Sequence, residues 1–190
     1  MILDPGSAHA FMDGYRQVLL MVHSLKGLRR SGTPEDRMVA ARPHLAREAE
    51  LLDDSLDCLE RRRGIRLPAR VADAIRTLDL EPWVYLRDAG DHSIFLLPER
   101  VVGFGVVGLT QPVRELTGRP GCVVEAGVVA FEGRFVFDGL PGMIRAFDPG
   151  ARDGFEGIYS NVCSIGAFHV IPKGGFAAHP HPLAQQGRHV

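Results

Sequence analysis

Lysine is almost missing from this chain: Lys26 and Lys173 are the only two among 22 cationic residues, and the other twenty are arginines. Codon bias in a GC-rich genome produces that skew, so a bacterial source is expected. Cysteine is scarce too. Cys58, Cys122 and Cys163 are odd in number and irregularly spaced, which excludes a disulfide framework and a zinc ribbon. A reduced, cytoplasmic compartment is the expectation. Long apolar runs are lacking near the N-terminus, where Val18 to Val22 is only five residues. It is too short for a signal peptide or a membrane span. Neither sign of charge dominates: 22 basic residues face 23 acidic ones, for a net charge of −1. No whole-chain field therefore draws the protein onto nucleic acid or an anionic membrane.

What is present is an ordinary globular composition. The chain has 190 residues, 45% hydrophobic and 24% charged, enough for one domain or two small ones with a real core. From Ser7 to about Arg30 the residues Phe11, Tyr15, Val18, Val22 and Leu25 step by four and three, which places them on one stripe of a helix. Ser7 is the expected N-cap, and Ser31-Gly32 the stop. Thr33-Pro34-Glu35-Asp36 reads as a fresh helix start: capping hydroxyl, proline in first position, acids in the first turn. Pro43 should kink or divide this second segment. Beyond it Leu45, Ala49, Leu52, Leu56 and Leu59 repeat the rhythm until Gly64. The two stripes suit an antiparallel hairpin or the seam of a homo-oligomer, and a third helix follows from Pro68 to about Leu78.

At Glu81-Pro82 the periodicity changes. Strands are expected near Trp83–Arg87, Ser93–Leu97, Val101–Val107, Cys122–Phe131, Arg134–Phe137 and Gly166–Ile171, with a helical turn from Pro112 to Thr117. Asp88 to Asp91 and Glu132-Gly133 read as the turns, and Gly103, Gly105, Gly108 and Gly127 as bends or bulges within strands. The expected class is α+β: residues 1–80 a helical hairpin plus third helix, 81–172 a small antiparallel sheet or partly open barrel, and 173–190 a loose tail.

Ile94-Phe95-Leu96, the Val106 to Leu109 segment, and Phe131-Glu132-Gly133-Arg134 leading to Asp138-Gly139-Leu140 carry a resemblance. Residues 83 to about 171 look like a domain of uncharacterised bacterial proteins with a helical N-terminal part. Those proteins typically place proline and tyrosine where Ala130 and Phe137 stand here. The resemblance implies a β hairpin and no activity.

Sites of chemistry are sparse. Gly103 to Gly108 spells G-x-G-x-x-G, but no helix is expected to open at the last glycine, so strand bulges account for it better than a dinucleotide site. His169, His179 and His181 with Cys163 are the candidate metal ligands, since His-x-His puts both imidazoles on one side, yet no Cys-x-x-Cys or His-x-x-x-His pair exists and the tail is rich in proline, so no metal or cofactor is expected. Cys163 and His169 form the one candidate nucleophile pair. Glu125, in a strand, needs a partner if it is buried, and Arg134 across the hairpin is the expected one. Asp138 should cap a turn, and Asp53, Asp54, Asp57 and Glu60 form a solvated helix face. Arg61, Arg62, Arg63, Arg66 and Arg70 make the only dense basic run, near a helix C-terminus where the macrodipole stabilises cations. Their guanidinium groups suit an acidic protein surface better than duplex DNA. The expected function is therefore a non-enzymatic adaptor, inhibitor or regulator acting on a protein partner. Its rivals are a weak nucleic-acid binder using the arginine run, and a small enzyme at the sheet–helix junction using Glu125, Asp138 or His169.

Overall fold

The computed structural model describes residues 2–29, 32–148 and 150–172, so the expected tail, with His179 and His181, lies outside the described residues. Four helices come first: α1 (Pro5–Leu25), α2 (Pro34–Arg47), α3 (Glu50–Arg63) and α4 (Ala69–Arg76). Asp4, not Ser7, caps α1, because its carboxylate accepts a hydrogen bond from the Ser7 backbone N–H at 3.0 Å. The second start is a reciprocal capping box between Thr33 and Asp36, with Pro34 in the first position.

Pro43 does not divide the chain where expected. It sits inside α2, which continues to Arg47, and the break falls at Glu48-Ala49. A proline perturbs the carbonyl four residues before it and leaves the turn after it free to form, so the helix runs on one turn. The expected second helix is thus two, and Gly64 ends α3 in the left-handed conformation (φ 65°).

The strands are β1 (Asp79–Ala89), β2 (His92–Leu97), β3 (Val102–Val107), β4 (Cys122–Phe131), β5 (Arg134–Phe137), β6 (Ile144–Ala146) and β7 (Phe168–His169). The short helix α5 (Val113–Thr117) lies between β3 and β4. Strands pair in the order β1-β2-β3-β5-β4, and β4 pairs back onto β1, which closes a five-stranded barrel. The sheet is mixed, not antiparallel. The connection through α5 brings the β4–β5 hairpin in beside β3, and β5 runs parallel to it (Val106↔Phe135, Val107↔Val136). The hairpin itself is as expected, with both Glu132 and Gly133 at positive φ (50° and 68°).

Side-chain alternation separates two cores. Trp83, Tyr85, Phe95, Phe104, Val124, Ala126, Val128, Phe135 and Phe137 fill the barrel, and Trp83 donates its indole N–H to the Ala126 carbonyl at 3.0 Å. The alternate residues Val107, Val129, Phe131 and Val136 face out and join the stripes of α1 to α4 in a second core. Val18 and Leu59 there are wholly buried and Leu52 nearly so, so most of both stripes is covered within the chain, while Leu25 and Ala49 are exposed. An unexpected helix, α6 (Ala151–Ser164), lays Phe155, Ile158 and Tyr159 over Val84, Leu86, Ile94 and Leu96 on the outer face of β1 and β2.

Candidate functional site

The site grows from one consequence of strand alternation. Odd-numbered positions of β4 face the helices, and that face carries Glu125 and Gly127 beside the end of β5, where Asp138 follows Phe137. Asp138 donates its backbone N–H to the Gly127 carbonyl (2.9 Å), and a Cβ at position 127 would collide with the Asp138 carboxyl. Gly127 is therefore a notch for that carboxylate, not a bulge. From the helical side come Tyr15 of α1 and Arg42 of α2.

These groups converge in the interior. The Asp138 carboxylate accepts hydrogen bonds from Arg42 Nη1 (3.0 Å), the Tyr15 hydroxyl (3.2 Å) and the Leu140 N–H (3.1 Å). The last is the turn cap expected of Asp138. Arg42 Nη1 also donates to the Leu140 carbonyl. Arg42 and Asp138 expose no side-chain surface. Arg42 Nη2 lies 3.7 Å from Glu125 Oε1, while Arg42 Nε and Nη2 have no hydrogen-bond partner among the described residues. Burial pushes the Asp138 carboxyl above its ordinary value against the pull of Arg42. Burial, and then the Asp138 charge, hold the Tyr15 hydroxyl well above its ordinary value of 10.0.

A cleft of about 350 Å³ opens above this cluster. Tyr15 and Asp138 border it, and Met12, Met38, Leu109 and Leu116 supply its apolar walls. Asp13, Arg16 and Glu35 are exposed at its rim. It lies where α1 and α2 meet the loop after β3, α5 and the end of β5.

The structure places the other expected residues apart from this cleft. In the arginine run, Arg61 pairs with Asp57 (2.6 Å), Arg66 with Glu60, and Arg70 with Glu132 (2.7 Å). Arg63 donates to Gln17 Oε1 at 3.3 Å. Arg62 is exposed and has no partner among the described residues. The expected Glu125–Arg134 pair is corrected: Arg134 pairs with Asp91 at 3.0 Å, and Glu125 faces Arg42. The hairpin turn holds Arg134 at the far end of β4, whereas Glu125 sits six residues back.

Gly103 to Gly108 belongs to β3 and the loop after it, and no helix opens at Gly108. The glycines are notches: a Cβ at position 105 would meet the His92 ring, and one at 108 the Gln111 carbonyl. Cys163 is exposed on α6, and the His169 ring lies 5.9 Å from that of Phe104. Among the described residues no three His, Cys, Asp or Glu side chains gather in a metal-holding group. No helix among them is long and apolar enough to cross a membrane.

Sequence reasoning passed over Arg42 and Tyr15. The signal for Arg42 was its position: Met38, Arg42 and Leu45 occupy one helical stripe at steps of four and three, and a charge in such a stripe requires a buried partner. Tyr15 read as one more apolar residue because only its hydroxyl is polar. No protein-family model, curated protein or solved structure matches the chain.

Proposed function

We propose that this chain is a non-enzymatic binding protein, an adaptor or inhibitor, whose cleft between α1, α2 and the barrel receives an apolar side chain of a protein partner. One observation carries the reading. The shifted groups at the cleft, Tyr15 and Asp138, spend their hydrogen bonds on each other, on Arg42 and on Leu140, so neither is left to move a proton for a substrate. What remains open is a pocket with two methionines and three leucines, ringed by charge. Methionine walls adapt to a guest side chain. The Asp13 and Glu35 carboxylates outnumber Arg16 at the rim, which favours a guest flanked by a basic residue.

The free cysteines Cys58, Cys122 and Cys163 support a cytoplasmic setting. Arg62, exposed at the end of α3, and its neighbours supply a second contact region, suited to an acidic patch of the same partner. Nucleic acid is the weaker reading. Small five-stranded barrels that bind oligonucleotides do so across their second and third strands, and here Ile94 and Leu96 of β2 lie beneath α6.

The test is a matched set of variants against the partner recovered with the wild-type chain. Met12→Arg places a charge in the cleft at a side chain already 41% exposed. It should abolish capture while the fold and melting temperature stay unchanged. Full capture by that variant would refute the cleft.

A further inference from the structure

We infer that α6 and β7 form a displaceable strap, and that β7 occupies in cis a strand-addition site on β3 suited to an extended peptide carrying an aromatic side chain. This rests on the reading of the chain as a binding protein, and not on the cleft.

The site is a gap in the barrel wall. The parallel pairing of β3 with β5 covers only Val106 and Val107. The lower part of the same edge, Gly103 and Phe104, is paired by Phe168 and His169, also in parallel, and the Gly103 N–H donates to the Ala167 carbonyl at 3.1 Å. Take β7 away and the Gly103 N–H loses its Ala167 carbonyl, and an open backbone donor on a strand edge is the feature that recruits a strand. Side-chain chemistry defines the guest. A Cβ at position 103 would lie 2.9 Å from the Phe168 ring, so Gly103 forms a notch beneath that ring. On the barrel side His92 flanks Phe168 at 5.8 Å, while Tyr159 of the strap itself meets it edge-on at 5.3 Å. The pocket is built for one aromatic residue on an extended backbone, and Phe168 fills it.

The strap is weakly held. Only Val162 of α6 is buried, and among the described residues no side chain caps the helix N-terminus. Gly154 and Gly157 lie within the helix with open space where a Cβ would be, so packing does not require them and they weaken it. Beside the apolar contacts of Phe155, Ile158 and Tyr159, its polar fastening is a part-exposed residue: Arg87 pairs with Glu156 at 3.1 Å and lies 5.1 Å from the centre of the Tyr159 ring. Beneath it, Ile94 and Leu96 are wholly buried, which gives a replacement segment apolar surface to cover.

The experiment uses the full chain and a fluorescent synthetic peptide of residues 166–172. A guest competing with a cis strap has its apparent affinity reduced by the small open fraction, so loosening the strap strengthens binding. Arg87→Ala should bind the peptide about tenfold tighter than wild type, and Gly154→Ala with Gly157→Ala should bind it more weakly. A peptide with alanine for Phe168 should not bind. Native-state hydrogen exchange on the unmodified chain gives an independent reading: the Gly103 and His169 amides should open well below the global unfolding free energy. Equal or absent peptide binding in all variants, or exchange of those amides only through global unfolding, would overturn the strap. Partner capture through the cleft would survive that result, so the two failures are distinguishable.

Discussion

The Asp138 carboxylate, one residue past a barrel strand, lies 3.0 Å from the guanidinium of Arg42 in the second helix, and neither side chain reaches solvent. Ninety-six residues of chain separate them. Their pairing joins the helical layer to the barrel, and Asp138 also lines the cleft, so substitutions here report on the fold and on the site together.

Removing one partner should cost more than removing both. Asp138→Ala strands a buried guanidinium, and the expected loss is about 3–5 kcal/mol in urea unfolding. Arg42→Met should be comparably harmful alone, and the double variant should lose well under the sum. Additive losses would mean that the two charges do not act as a pair.

Alkaline pH should destabilise the protein through Tyr15. Its folded-state pKa is raised above the ordinary 10.0 by burial and by Asp138, with Arg42 opposing. The protonated form is thus favoured by folding. The associated stability is intact below pH 10 and is lost as pH rises above the ordinary value toward the folded one. Tyr85 is raised in the same direction, by burial and then by Asp88, so both contribute. Unfolding free energies measured from pH 8 to 11 should fall, and Tyr15→Phe should fall less steeply than wild type.

The helical stripes should behave as an internal core. Val18→Ala and Leu52→Ala each remove a buried side chain and should cost on the order of 1–4 kcal/mol. Because most of both stripes is covered within the chain, the melting midpoint of the wild type should not move with protein concentration. A rising midpoint would show that they also pair between copies.

Val101 is a β-branched residue at φ 51°, immediately before β3. Val101→Gly should relieve that conformation and raise stability by about 1 kcal/mol despite glycine's greater freedom when unfolded. A loss of stability would show that packing of the valine outweighs its strain.

Local signals were legible where one periodicity held. Cys122–Phe131 and Arg134–Phe137 read as strands with the bounds that the structure gives them, because alternation and a two-residue turn fix both ends. Helix α6 was illegible because Gly154 and Gly157 break its apolar pattern, and its residues are half-buried against a surface far away in sequence. Barrel closure was illegible for a related reason: the parallel β3–β5 pairing depends on where α5 carries the chain, which no local pattern encodes. The cleft was half visible. Asp138 and Glu125 were singled out, but their shared partner Arg42 hid within an apolar stripe.

Site-specific photo-crosslinking tests the binding reading most directly. A benzophenone amino acid placed at position 12, in the cleft wall, or at position 62, in the arginine run, is activated in cells expressing the full chain, and adducts are identified by mass spectrometry. One and the same partner protein should be crosslinked from both positions, and more strongly from position 12, with the adduct from position 12 lost on adding Glu35→Arg. No protein adduct from position 12, while position 62 or a control site crosslinks normally, would contradict the proposal that the cleft receives a partner.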